Sequence, residues 1–143
     1  MGWESFFLIA QIKQIGDRIF ERILSESKID TFNGAQGRIL YILWKQDGIP
    51  IKDLSKQTGL AMSTLSTMLN RMEAADLISR QHGDEDRREV LIFLTETSRA
   101  LELEYKFLIT EIDSIYYRDL GIREIAVFES CLRHILNNLE EAL

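Results

Sequence analysis

Between Ile51 and Ala75 the chain has the makings of two helices and almost nothing to join them. Ile51 to Thr58 reads as a short helix that stops at Gly59, a residue suited to the left-handed turn that ends helices. A second helix starts at Met62 and runs to about Ala75. Its inward stripe is Leu65, Leu69 and Met72, while Ser63, Ser66, Thr67, Asn70 and Arg71 face away. Two helices joined by a turn of about three residues containing glycine match a helix-turn-helix.

The segment after Ala75 narrows the fold further. Leu77–Gln81 and Glu89–Leu94 have strand composition and are joined by a long polar tip, which reads as a hairpin. A helix-turn-helix succeeded at once by a hairpin makes a winged helix. Helices flank it on both sides. Residues 5–27 carry Ile12, Ile15, Ile19 and Ile23 as one apolar stripe, ended by the polar break Ser27 to Thr31. Asn33 with Gln36 three residues on forms a capping box that opens a helix to about Lys45, and "QDGIP" is a turn. Thr95 caps a further helix to about Tyr117, and a last one spans roughly Ile122 to Leu139. The predicted fold is mainly α with a small β-hairpin. The winged helix occupies 33–95, and the helices of 5–27 and 96–143 serve dimerisation, because a winged helix of about sixty residues cannot cover both apolar flanks.

The net charge of -6 argues against a nucleic-acid partner until its distribution is examined. Residues 35–95 hold eight basic and eight acidic side chains, so the whole imbalance lies in the two ends. The N-terminus has no basic stretch and no small-residue cleavage site, and polar residues interrupt it too often for a membrane span. A single cysteine, Cys131, fits a reducing compartment. The expectation is a soluble cytoplasmic protein with no membrane partner.

The chemistry points to the winged helix. Asn pairs bidentately with adenine and Arg with guanine, while Ser and Thr accept several partners, so the outer face of the second helix suits a DNA major groove. A face of this kind is also commonly just solvated. The hairpin tip "QHGDEDRREV" and its approach set three arginines (80, 87, 88) against four acids, which rules out a simple phosphate-attracting patch. A consistent arrangement uses Asp86 to hold Arg88, two residues along a strand, in an extended pose fit for a narrow minor groove. Incidental surface pairs worth about 0–1 kcal/mol are the alternative.

These residues resemble the MarR family of regulators. "DEDRREVLIFLT" is similar to that family's wing, "FNGAQGRILYIL" to its second helix, and "KDLSKQTGLAMSTLSTMLNRMEAADLISR" to its helix-turn-helix and first wing strand. The resemblance implies a homodimer with interlocking first, fifth and sixth helices, set for a pseudo-palindromic site on double-stranded DNA. It places recognition-helix contacts on Ser63, Thr64, Ser66, Thr67 and Arg71, the buttressing acid on Asp86 and the minor-groove arginine on Arg88. Asn70 and Arg87 join the expected DNA face. Three residues depart from the family pattern. Ala61 stands where a capping serine is common, at a cost of about 1 kcal/mol to the helix start, and Asp76 and Ser98 replace frequent glycines.

Family members often respond to small aromatic ligands, to oxidation or occasionally to metal. Here Phe6, Phe7, Tyr41 and Trp44 are the candidates to line an effector pocket, although aromatics at helical spacing also serve as ordinary core. Cys131 reads as packing, because the cysteine of oxidation-sensing members sits in the first helix, where this chain has none. His82 and His134 lie in no ligand cluster, so no metal site and no cofactor is assigned. No phosphate loop, nucleophile elbow or paired carboxylates point to an enzyme. Two readings stand: a dimeric DNA-binding transcriptional regulator, in such families most often a repressor, and a winged-helix protein-interaction module without DNA contact.

Overall fold

The computed structural model describes residues 2–143. Among these, α1 (Gly2–Glu26) and α2 (Gly34–Lys45) precede a short strand β1 (Ile49–Pro50). Then come α3 (Ile51–Thr58), α4 (Met62–Ala74), β2 (Ile78–His82) and β3 (Val90–Leu94). The chain continues through α5 (Glu96–Arg99), α6 (Glu102–Tyr116) and α7 (Ile122–Glu141). It divides into two compact units, one reaching Ile109 and the other covering Thr110–Leu143. No helix among the described residues is long and apolar enough to cross a membrane.

The first unit is organised by the winged helix. Gly59 closes α3 at φ 70°, a left-handed conformation that costs a residue without Cβ nothing, and its N–H donates to the Ser55 carbonyl. Leu65, Leu69 and Met72 are completely buried, as the apolar spacing predicts, and so is Leu54 of α3. At roughly 1.5–3 kcal/mol for each fully buried side chain, this stripe fixes which face of α4 is left outside. β2 and β3 pair antiparallel, with Ile78 opposite Leu94 and Arg80 opposite Ile92. A third strand, not expected from the sequence, completes the sheet in the order β1-β3-β2. It is only Ile49 and Pro50, too short to show a period, and an edge position suits a residue lacking an N–H.

One expectation about the helices needs correction. The helix expected from Thr95 to Tyr117 is broken into α5 and α6. Thr95 and Ser98 form a capping box, and the Ser98 carbonyl accepts from the Trp44 indole at 3.0 Å and from the Leu101 N–H at 3.2 Å. That tight three-residue closure replaces a regular helical turn. Along the isoleucine stripe of α1, Ile12 and Ile15 are exposed, Ile19 is half-buried and Ile23 is buried, and the core contacts come from Gly16, Phe20, Ile23 and Leu24.

Tyr105 is the aromatic centre of this unit. Its ring lies 5.1 Å from Trp44, 5.8 Å from Phe32, 5.9 Å from Phe20 and 6.2 Å from Tyr41. Burial pushes its phenol up to about 12, with the charges of Tyr41 and Glu21 adding to the effect and Arg38 opposing it. Gly37 of α2 allows the ring to sit there, since a Cβ at this position would lie 2.8 Å from Tyr105 Cε2 and 3.1 Å from Phe32 Cε2. Helix propensity alone favours Gly37→Ala by up to about 1 kcal/mol. Overpacking costs about 1–3 kcal/mol, and four neighbouring rings leave Tyr105 little room to yield. Net destabilisation is therefore expected, read as a lower denaturant midpoint at an unchanged slope.

The second unit contains the end of α6 and all of α7. The Tyr117 hydroxyl donates to Glu129 Oε1 at 3.3 Å, and partial burial together with the Glu129 charge raises its pKa. No residue of α7 is buried. Cys131, read from the sequence as packing, is exposed. The apolar periodicity of α7 is present, but only Ile125, Glu129 and Leu132 of this helix are even half-covered.

Candidate nucleic-acid interface

Because Leu65, Leu69 and Met72 point inward, α4 presents Ser63, Thr64, Thr67, Asn70 and Arg71 outward, with Ser66 half-buried. Ala61 occupies the N-cap and makes no side-chain cap bond, so the first N–H groups of α4 have no side-chain acceptor. Asp76 takes the left-handed conformation just past the helix at φ 60°, which Asp tolerates better than most residues. Its carbonyl accepts from the Thr95 hydroxyl at 2.6 Å, and its carboxylate from the Thr97 hydroxyl at 3.1 Å. The departure from glycine at this position is thereby anchored.

At the wing, the expected pairing of Asp86 with Arg88 is present, but its geometry differs from expectation. The two residues lie in a turn, not on a strand. The Asp86 carbonyl accepts from the Glu89 N–H at 3.1 Å, and Asp86 Oδ1 accepts from the Arg88 N–H at 3.0 Å. The second contact is an Asx-type turn, in which a short carboxylate stands in for a backbone acceptor. Arg87 and Arg88 therefore occupy the two central positions of the turn. Gly83 and Glu89 close the loop beneath them through a 2.9 Å backbone bond. Arg88 Nε lies 3.6 Å from the same Asp86 oxygen, while the arginine side chain remains 95% exposed. At such exposure the pair contributes little to stability. Arg71 and Arg87 have no ion-pair partner among the described residues and are exposed.

Sequence reasoning missed Arg80. Along the chain it is one of three arginines near the tip, yet its guanidinium turns back from β2 onto α4. Nη1 donates to Asn70 Oδ1 at 2.8 Å and to Glu73 Oε1 at 3.4 Å, and Nη2 lies 3.5 Å from the Ser66 carbonyl. The available signal was the spacing of Ser66, Asn70 and Glu73, which places three acceptors on one stripe of α4.

The four proposed pocket residues are not brought together. Tyr41 and Trp44 pack on Tyr105, whereas Phe6 and Phe7 are exposed near the start of α1, where their ring neighbours are each other and Trp3. A shallow concavity of about 390 Å³ lies elsewhere in the first unit, between the end of α1 and the start of α2, with Leu24, Ile29 and Phe32 beside Glu21 and Asp30.

Residues 32–90 match the model of the MarR family. The organic hydroperoxide resistance transcriptional regulator of Bacillus subtilis is 41% identical over 63 residues, 44% of this chain and 43% of that protein. The chain thus spans less than half the length of the curated relatives it matches. Among solved structures, Bordetella bronchiseptica BpsR, described for the regulation of its DNA binding by 6-hydroxynicotinic acid, is 27% identical with a TM-score of 0.79 over 90% of both chains. A mutant of Escherichia coli MarR complexed with operator DNA shares the fold at a TM-score of 0.81, with 24% identity over 94% of both chains.

Proposed function

We propose, from the match of residues 32–90 to the MarR family model, that this chain is a MarR-type, sequence-specific DNA-binding transcriptional regulator acting as a homodimer. α4 enters the major groove through Ser63, Thr64, Ser66, Thr67, Asn70 and Arg71. The wing lays Arg87 and Arg88 along the adjacent minor groove. The observation that carries this reading is the turn at the wing tip. It fixes the backbone under two exposed arginines and gives one of them an acidic buttress, an arrangement of little worth to the fold and of direct use against a narrow, electronegative groove.

Dimerisation is supported by the faces each unit leaves bare. On α1, Phe6, Phe7, Ile12 and Ile15 are exposed, and on α7 so are Val127, Phe128, Leu136 and Leu139. Large apolar side chains at this density are the material of an obligate interface. A second copy covering them sets two wings on one pseudo-palindromic site. Repression is the form of regulation proposed, with release by a small aromatic effector. The BpsR structure supports the effector by analogy, and the cytoplasm, where DNA is reached, is the compartment the reading requires.

The net charge of -6 favours the rival reading, a winged-helix protein-interaction module. A gel-shift of the full chain on the DNA upstream of its own coding region separates the two. Retardation that resists unlabelled random DNA and is competed by the same unlabelled fragment is expected. Retardation no stronger than on random DNA would favour the interaction module.

A further inference from the structure

The position of Arg80 carries a consequence for base recognition that rests on the DNA-binding reading above. Arginine has only donors, so the atom of Asn70 that meets it is the amide oxygen, and the NH2 group is turned the other way. Bidentate adenine recognition by asparagine uses both atoms, the oxygen accepting from N6 and the nitrogen donating to N7. We propose that Arg80 is a specificity-setting residue: its bond to one lone pair of the Asn70 oxygen fixes the rotation of the amide, so that Asn70 presents its NH2 group to a base acceptor such as guanine O6/N7 or thymine O4 and does not offer oxygen and nitrogen together to adenine N6/N7.

The clamp is built for this role. Ser66, Asn70 and Glu73 offer three acceptors along one stripe, and a planar guanidinium meets all three, which a lysine ammonium on its flexible stem does not reproduce. Glu73 offsets the charge of Arg80 at 3.4 Å, so the arginine acts on the neighbouring amide and not as a phosphate contact. Arg80 is also less exposed than Arg88, with 26% of its side chain accessible against 95%. Adenine readout by Asn70, the pairing suggested by the side chain alone, is replaced by readout that depends on a residue from the wing.

The test selects bound sequences from a random DNA pool with the full-length protein and with the charge-balanced variant Arg80→Met/Glu73→Gln. A second variant, Arg80→Lys, keeps the charge and disturbs the surroundings less. In both variants one position in each half-site is expected to shift toward adenine by about tenfold. The shift should vanish when Asn70→Ala is added, and the salt dependence of binding should stay unchanged. Base preferences identical to wild type would overturn the proposal while leaving the DNA-binding reading intact. So would a salt slope shallower by about one phosphate contact in Arg80→Met/Glu73→Gln, because Arg80 would then touch the backbone itself. Failure of the wild type to enrich any sequence would remove both.

Discussion

A chain cut after Gly121 should fold its first unit and lose operator binding by at least about a hundredfold. Every buried apolar side chain among the described residues lies at or before Ile112, and α7 contributes none. Removing α7 therefore leaves the core beneath α4 and the wing as it was, and cooperative thermal unfolding should persist. What is lost is the apolar surface of Val127, Phe128, Leu136 and Leu139, on which the proposed pairing of two chains depends. Once the chains separate, each half-site is bound alone, and the gain from linking two binding events, on the order of 10²–10⁴, disappears. Sedimentation of the truncated protein should show monomers, or aggregates formed through the bare stripe of α1. A truncated chain that sediments as a stable dimer and still binds at full strength would place the interface elsewhere.

The parts of the fold that were legible in the sequence are those set by short-range chemistry. The bounds of α3 follow from Pro50 and Gly59, and the box joining Asn33 to Gln36 opens α2 where its residue types indicate. The buried stripe of α4 follows from spacing alone. Features that depend on distant residues were hidden. Ile49 and Pro50 become a strand only because β3 runs beside them. Ser98 ends α5 early because the Trp44 indole, 54 positions away in the chain, claims its carbonyl. Periodicity correctly marked apolar faces on α1 and α7, but it does not tell a face covered by the same chain from one that awaits another. The sequence misleads at Cys131 for that reason.

The candidate site shows the same division. Asp86 and Arg88 were legible as a pair from their two-residue separation, from the hairpin's place after a helix-turn-helix and from the resemblance of the wing to the MarR pattern. Their turn geometry was not, since it depends on the loop closed between Gly83 and Glu89. Arg80 groups with its sequence neighbours at the tip, although its partners are on α4. A charge count along the chain does not show which arginines are already engaged.

At the wing, the expected result runs against simple electrostatics. Arg88→Ala removes a cation from the DNA face, so operator affinity should fall and its salt dependence should become shallower by about one phosphate-equivalent. Asp86→Ala removes a negative charge close to DNA, and charge alone would make binding tighter. Here it should weaken binding, because Asp86 Oδ1 holds both the Arg88 N–H and, more loosely, its Nε. Without that oxygen the turn loses its Asx closure and the arginine its direction. The double variant should then bind little worse than Arg88→Ala, since the two residues act as a unit. The measurement is a double-mutant cycle of operator affinity at one fixed salt concentration. Weaker binding by Asp86→Ala, with most of the loss shared with Arg88→Ala, is the predicted result. Tighter binding by Asp86→Ala, with the two effects simply additive, would contradict the proposed role of the pair and leave the acids of the wing as surface charge.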